Sequence, residues 1–160
     1  MNASHLLQAS MDPFWTGGGM AAIEPALVII GLGTNDWQSF TAAQYLTNID
    51  SLLSKVATAM GSNPYTVALL QAYRPGAAWN SQVWTDMMAG LAARAVGNVC
   101  VIPLSPPWPE LLPDGSTNAG LMYEATNPVH PNGAGHQFYG EILADALSLP
   151  EVPKHLVVIG

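Results

Sequence analysis

The chain has 160 residues, of which 49% are hydrophobic and 9% are charged, so it can form one domain with a substantial core. Its net charge is −7, and its only cations are Lys55, Arg74, Arg94 and Lys154. These four do not form the basic cluster that a phosphate backbone requires, so we expect no nucleic-acid partner. A surface this poor in charge favours a secreted or virion-borne protein.

Neither a membrane span nor a signal peptide is predicted. The apolar runs are far shorter than the about 20 residues of a spanning helix, and residues 1–15 lack the basic and apolar regions of a signal sequence. Cys100 is the only cysteine, so no intrachain disulfide can form, and its apolar surroundings predict a buried structural thiol. No cluster of His, Cys and carboxylates has metal-ligand spacing, so we expect neither a metal nor another cofactor.

The first half of the chain alternates apolar runs with an amphipathic stretch. Residues 26–32 form a continuous apolar run, which is typical of a strand buried on both faces. A helix is predicted from a capping box at Thr41 and Gln44 to a stop at Gly61. A second strand is predicted over residues 65–70.

The second half continues this alternation. We predict a helix over residues 81–96, a strand over 98–102 and a last helix that begins near Asn132. Between the last two, residues 103–131 read as a long loop rich in Pro and Gly, and its length indicates a functional role. Strands that alternate with helices predict a parallel sheet between two helical layers, an α/β fold of three layers.

A polar motif follows the first strand, where a parallel sheet gathers its functional groups. Gly33 permits a sharp exit from the sheet. Asn35 then presents a side-chain amide that can stabilise a developing oxyanion. The alternative is that Asn35 and Asp36 only cap the turn into the next helix, and spacing alone favours this alternative.

A second motif ends the long loop. His130 lies between Pro128 and Pro131, just before the last predicted helix, for which Asn132 is a good N-cap. A histidine held in this way is a candidate general base. Taken alone, the motif fits an ordinary surface histidine better.

Together the two motifs resemble the SGNH (GDSL-like) hydrolase family. Its third block reads Gly-x-Asn-Asp, as residues 33–36 do, and its fifth block reads Asp-x-x-His-Pro and often continues Asn-x-x-Gly-His, as residues 130–136 do from the His onward. The resemblance covers residues 26–149. It implies a flavodoxin-like sheet, a serine nucleophile, His130 as general base and Asn35 as an oxyanion-hole donor beside Gly33.

Two departures from the family pattern bear on activity. The family's Asp is Asn127 here, and the same change in a serine protease lowers kcat by about 10⁴ because an amide carries no charge. The Gly-Asp-Ser block that carries the serine is missing. Residues 2–7 resemble the second block, in which Ser4 is the nearest equivalent of an oxyanion glycine, so the sheet is expected to be incomplete at its first strands.

The tail of the chain leaves three interpretations open. Residues 157–160 resemble the strand that leads into Gly-Asp-Ser in the family. In the first interpretation, the chain is a fragment of a longer multidomain protein. In the second, it is a permuted domain whose tail strand fills the vacant slot of the sheet. In the third interpretation, a domain over residues 1–150 is followed by a linker or extra strand over 151–160.

These observations support two functional hypotheses. The first is an SGNH-type serine esterase, lipase or deacetylase domain that cleaves a small-molecule or glycan ester through an acyl-enzyme, with Trp108 as a candidate stacking platform for the substrate. The second is a catalytically silent module that serves as a structural or binding part of a phage or cell-surface protein. Asn127 and the missing serine favour the second. A flavodoxin-like ligand-binding domain is a third, weaker hypothesis, because no phosphate-binding glycine loop supports it.

Overall fold

The computed structural model describes residues 4, 7, 11–15, 19–71, 81–103, 118–123, 130–147 and 156–159. Within these ranges the helices are α1 (Asp12–Trp15), α2 (Met20–Ile23), α3 (Ala42–Met60), α4 (Gln82–Ala92) and α5 (Gly133–Leu147). The strands are β1 (Leu27–Ile30), β2 (Thr66–Gln71), β3 (Val99–Pro103) and β4 (Leu156–Ile159). No helix among these residues is both long and apolar enough to cross a bilayer.

The four strands form one parallel sheet in the order β3-β2-β1-β4. In this sheet β1 pairs with β2 from Leu27↔Thr66 onward, and with β4 from Leu27↔Leu156 to Ile30↔Ile159. All four residues of β1 are buried, as expected of an internal strand that is covered on both faces. The predicted parallel sheet is therefore confirmed, and the tail of the chain supplies its fourth strand.

Helical layers cover both faces of the sheet. Successive strand side chains point to opposite faces, and Val28 and Ile30 belong to a core cluster that includes α3 and α4 side chains. Leu27 and Ile29 belong to a second cluster, which is completed by α5 side chains. Full burial of each such side chain contributes about 1.5–3 kcal/mol to the free energy of folding. Because the two clusters lie on opposite faces of the sheet, the protein has the predicted three-layer, flavodoxin-like architecture.

Helix α3 begins and ends as its sequence predicts. The Thr41 hydroxyl accepts a hydrogen bond from the Gln44 amide at 3.2 Å, and the Gln44 side chain accepts one from the Thr41 amide at 2.9 Å. Gly61 ends the helix with a φ of 56°, in the left-handed region that favours glycine. The helical stripe that faces the sheet is buried and comprises Tyr45, Ile49, Leu52, Val56 and Met60.

Two expectations for the middle of the chain need correction. The second predicted helix ends at Ala92, four residues early, because the Arg94 amide bonds to the Leu91 carbonyl in a tighter turn. The Arg94 guanidinium then bonds to both carboxylate oxygens of Asp50 at 2.6 Å and ties α4 to α3. Cys100 is half-buried and not buried, because β3 is the outermost of the four described strands on its side of the sheet.

Candidate active site

The turn that follows β1 is stabilised from within by Asp36. Gly33 adopts a φ of 130°, which a side chain would disfavour, and its amide donates to Asp36 Oδ2 at 3.2 Å. The Asp36 amide returns a hydrogen bond to the Gly33 carbonyl at 3.0 Å. Asp36 is fully buried, whereas the neighbouring Asn35 is exposed. The turn-capping role therefore belongs to Asp36, and the side chain of Asn35 faces solvent.

Tyr45 holds the same turn from the helix side. Its hydroxyl donates to the Leu32 carbonyl at 3.0 Å, and its side chain is fully buried against the sheet. Burial raises the pKa of Tyr45 well above its usual value, and the nearby Asp36 carboxylate raises it further, while Arg94 lowers it. The hydroxyl is therefore a permanent donor, which fixes where the chain leaves β1.

Replacing Tyr45 with phenylalanine is expected to lower the free energy of unfolding by about 1–3 kcal/mol. The ring remains in place, but the buried Leu32 carbonyl loses its donor. Urea unfolding followed by circular dichroism measures the change, with Tyr123→Phe as the control because Tyr123 is 74% exposed. Equal stability of the two variants would show that this hydrogen bond does not hold the turn.

The backbone of His130 is fixed by a short antiparallel bridge. Met122 pairs with Pro131, the Tyr123 amide donates to the His130 carbonyl at 3.0 Å, and the Asn132 amide donates to the Leu121 carbonyl at 2.8 Å. Pro131 is buried, whereas His130 is exposed. The histidine is thus presented to solvent from a backbone that is held on both sides.

Asn132 joins this bridge to helix α5. Its Oδ1 accepts from the Gly135 amide at 3.0 Å, which confirms the predicted N-cap. Its Nδ2 donates to the carbonyls of Ala119 at 3.3 Å and Met122 at 3.2 Å. One side chain therefore sets the position of the helix start relative to the segment that carries His130.

The turn after β1 and His130 lie at the same edge of the sheet. Gly31 directly follows β1, and a β-carbon on it would be 3.7 Å from the Tyr139 hydroxyl of α5. Helix α5 must run back from this carboxyl edge, because it connects β3 with the parallel strand β4. Its start, with His130 just before it, therefore lies beyond the carboxyl ends of the strands, as does Asn35.

The folded protein is expected to lose stability at alkaline pH through Tyr139. Burial raises the pKa of Tyr139 from 10.0 to about 12, so the folded state holds this proton more tightly than the unfolded chain does. The stabilisation is complete below pH 10 and is lost as the pH rises toward 12. Melting temperatures over this range should fall less steeply in Tyr139→Phe than in the parent, whereas Tyr123→Phe should keep the parental slope.

Of the remaining predicted site residues, Ser4 alone falls among the residues that the structure describes. Ser4 lines a groove of about 350 Å³ beside the start of α3, together with Phe40, Ala43, Gln44, Thr47 and Asn48. Neither Asn35 nor His130 is among the described residues that line this groove. Asn127 and Trp108 lie outside the described residues. Within the described part of the chain, no group of three or more His, Cys, Asp or Glu side chains could hold a metal ion.

Sequence reasoning identified one of the two residues that support the Asn35 turn. Capping by Asp36 is one of the two interpretations of the motif, whereas the sequence assigns Tyr45, in the apolar stripe of α3, no role in this turn. The signal for Tyr45 was its position at the start of that stripe, close to the end of β1. Its hydrogen bond to Leu32, however, depends on how α3 packs against the sheet.

Comparisons with known proteins agree with these motifs. Residues 4–138 match the model of the GDSL-like Lipase/Acylhydrolase family. A carbohydrate esterase family 3 protein from Talaromyces cellulolyticus has a similar structure, with a TM-score of 0.65 and 17% identity over 92% of this chain and 67% of that one. So does a GDSL-like lipase from Bacteroides thetaiotaomicron VPI-5482, with a TM-score of 0.57 and 23% identity over 78% of this chain and 62% of that one.

No curated protein matches the chain significantly in sequence. The two solved structures, both under 25% identical, share the fold, and the chain spans 67% and 62% of their lengths. The family match is independent of them and includes both the Gly33–Asp36 turn and His130. The chain therefore belongs to the GDSL-like lipase/acylhydrolase family, which its two motifs resemble.

Proposed function

We propose that the chain is the greater part of an ester-hydrolase domain that cleaves carboxylic esters through an acyl-enzyme. The observation that carries this proposal is the family match over residues 4–138. It gains support from the common sheet edge of the Asn35 turn and His130. Neither the family match nor the similar structures favour the alternative of a catalytically silent module.

In the proposed reaction a serine hydroxyl attacks the carbonyl carbon of the ester. His130 takes the serine proton as general base, and the Asn35 side chain donates a hydrogen bond to the oxyanion that forms. The tetrahedral intermediate collapses, and the leaving alcohol receives the proton from His130. Water then attacks the acyl-serine with His130 again as base, which releases the carboxylic acid and restores the serine.

The geometry suits Asn35 for this task because its neighbours, and not Asn35 itself, hold the turn. Asp36 bonds to Gly33 within the turn, and Tyr45 bonds to the preceding carbonyl of Leu32. An exposed amide on a backbone fixed in this way costs little to orient when charge develops on a substrate. Donors of this kind contribute about 10²–10³ in rate in other hydrolases.

The substrate class we propose is a small-molecule or glycan ester. The similar solved proteins are described as a carbohydrate esterase and a lipase, so their ester substrates share the bond to be broken and differ in the rest of the molecule. The net charge of −7 disfavours polyanionic substrates by repulsion. A screen of acetylated sugars against p-nitrophenyl esters of increasing acyl length would separate the two classes.

The test is p-nitrophenyl acetate hydrolysis by the 160-residue chain with His130→Ala and His136→Ala as a matched pair. Both histidines are exposed, so each gives the slow background hydrolysis of the ester that an exposed imidazole causes. Hydrolysis above this background, even without an assigned serine, would come from water activated by His130 as general base, with Asn35 stabilising the oxyanion. His130→Ala should lower that rate by about 10²–10⁴, while His136→Ala should leave it unchanged. Equal rates in the two variants would contradict the proposal.

A further inference from the structure

The bridge that fixes the backbone of His130 also determines which side chain lies beside it. Met122 pairs with Pro131 in antiparallel orientation. The Tyr123 amide donates to the His130 carbonyl at 3.0 Å, so the register puts Tyr123 directly opposite His130. Residues opposite each other in an antiparallel pair have β-carbons about 4.5–5.5 Å apart. Tyr123 is therefore the cross-strand neighbour of the proposed general base.

The side chains of Tyr123 and His130 also share a face of the bridge. Successive side chains of an extended segment point to opposite sides, and burial follows this alternation on both segments. Met122 is 3% exposed whereas Tyr123 is 74% exposed, and Pro131 is buried whereas His130 is exposed. Every other aromatic ring that the structure describes is at least partly buried. The inner pair thus packs on the protein, and the outer pair faces solvent.

The part of the substrate that reaches Tyr123 follows from the role of His130. In the proposed reaction the leaving alcohol takes its proton from His130, whereas the carbonyl oxygen lies at Asn35. A ring that is carried about 5 Å from the backbone of His130 and on the same face therefore contacts the alcohol part of the ester. The acyl part lies on the other side of the carbonyl carbon.

The chemistry of an exposed phenol ring selects among alcohols. The ring has a flat apolar face and a polar tip. A sugar ring has the matching shape, because its axial C–H groups form an apolar face and its hydroxyls lie at the rim. Contact between the two faces removes both from water. A short alkyl alcohol has no such face. Because Tyr123 is held by the bridge and has only two side-chain torsions, ordering its ring on binding costs little.

We propose that Tyr123 is the specificity-determining residue of the alcohol subsite, where its ring packs against the sugar ring of a glycan ester. This inference rests on the proposed function and deepens it, because it assigns the alcohol side of the substrate to a sugar. Trp108, the stacking platform that the sequence predicts, lies outside the described residues. Tyr123 provides such a platform within them, beside the base.

The test compares two acetate esters that differ only in the alcohol: methyl glucoside acetylated at its primary hydroxyl, and ethyl acetate. Tyr123→Ala should raise KM for the acetylated glucoside by about 10-fold with kcat retained. The same variant should keep kcat/KM for ethyl acetate within about 2-fold of the parent value. Tyr123→Phe retains the ring and should behave like the parent on both esters. Displacement of His130 would instead lower the rates of both esters, so a structural role is distinguished.

Binding can be measured apart from turnover in the His130→Ala chain. Saturation-transfer NMR with the acetylated methyl glucoside should show transfer to the C–H protons of its sugar ring. Adding Tyr123→Ala to this chain should remove that transfer, whereas adding Tyr123→Phe should keep it. Circular dichroism of each variant confirms that the chain is folded.

The outcomes separate this inference from the proposed function. A loss confined to the acetylated glucoside, together with transfer that depends on Tyr123, supports both. Equal losses on the two esters, or no loss on either, overturn the inference and leave ester hydrolysis standing. Absence of hydrolysis that depends on His130, with either ester and folded protein, contradicts the proposed function. The binding measurement then decides the inference, which is overturned if transfer to the sugar ring does not depend on Tyr123.

Discussion

Replacing Gly135 with alanine is expected to lower the free energy of unfolding by about 2–3 kcal/mol. A β-carbon at this position would overlap the carbonyl oxygen of Leu121 and lie 2.9 Å from the ring of Pro131. Neither neighbour is the end of a flexible side chain. The helix start and the Leu121–Pro131 region would have to separate, which breaks the contacts that Asn132 makes between them.

Helix α5 itself offers the matched control. A β-carbon on Gly140 would meet nothing within 4 Å, and alanine is favoured over glycine inside a helix by about 0.5–1 kcal/mol. Gly140→Ala should therefore raise the free energy of unfolding, and Gly135→Ala should lower it, although the chemical change is identical. Urea unfolding of both variants decides the matter, and changes of the same sign would show that the α5 start is not packed as described.

The same substitution should affect the proposed reaction. His130 is fixed to the Leu121–Tyr123 segment by the hydrogen bond of its carbonyl and by the Met122–Pro131 bridge. A shift of α5 at Gly135 displaces this bridge and moves His130 relative to the Asn35 turn. At temperatures where Gly135→Ala remains folded, we expect its rate of ester hydrolysis to be lower than that of the parent chain. Partial unfolding would not explain this loss.

Sequence reasoning predicted the architecture because the fold depends on local and periodic signals. The apolar run of β1, the capping box of α3 and the N-cap at Asn132 act within a few residues or along one helix face. Their consequences are the buried strand, the helix bounds and the start of α5. Such signals are readable from a single chain because the physical cause and its effect are close in sequence.

What sequence reasoning could not provide were the contacts that join distant segments. The pairing of β4 with β1 joins residues more than 120 positions apart, and the sequence alone left three interpretations of the tail open. The ion pair between Arg94 and Asp50, which ties α4 to α3, joins residues 44 positions apart. The burial of Cys100 depends on which strand lies at the sheet edge. Each of these follows from tertiary packing, which periodicity does not encode.

Replacing Asn35 with alanine is expected to lower kcat for ester hydrolysis by about 10²–10³, with little change in KM. An oxyanion donor bonds to charge that exists only in the transition state, so its loss affects turnover more than substrate binding. Asn35→Asp should be as damaging, because it keeps the shape but replaces the amide donor with a negative charge. Steady-state kinetics of the parent chain and the two variants measures both effects.

The kinetic loss must be separated from a loss of structure, and the turn allows this. Asn35 is exposed and Asp36 makes the hydrogen bond that holds Gly33, so Asn35→Ala should change the free energy of unfolding by less than about 0.5 kcal/mol. Gln38→Ala, at an exposed position of the same turn, should change neither stability nor rate. If Asn35→Ala instead unfolded at lower urea and kept its kcat, Asn35 would be a second turn-forming residue and the oxyanion donor would have to be sought elsewhere. A selective loss of kcat would assign the two adjacent polar residues opposite tasks: Asp36 facing inward to hold the turn, and Asn35 facing outward to act on the substrate.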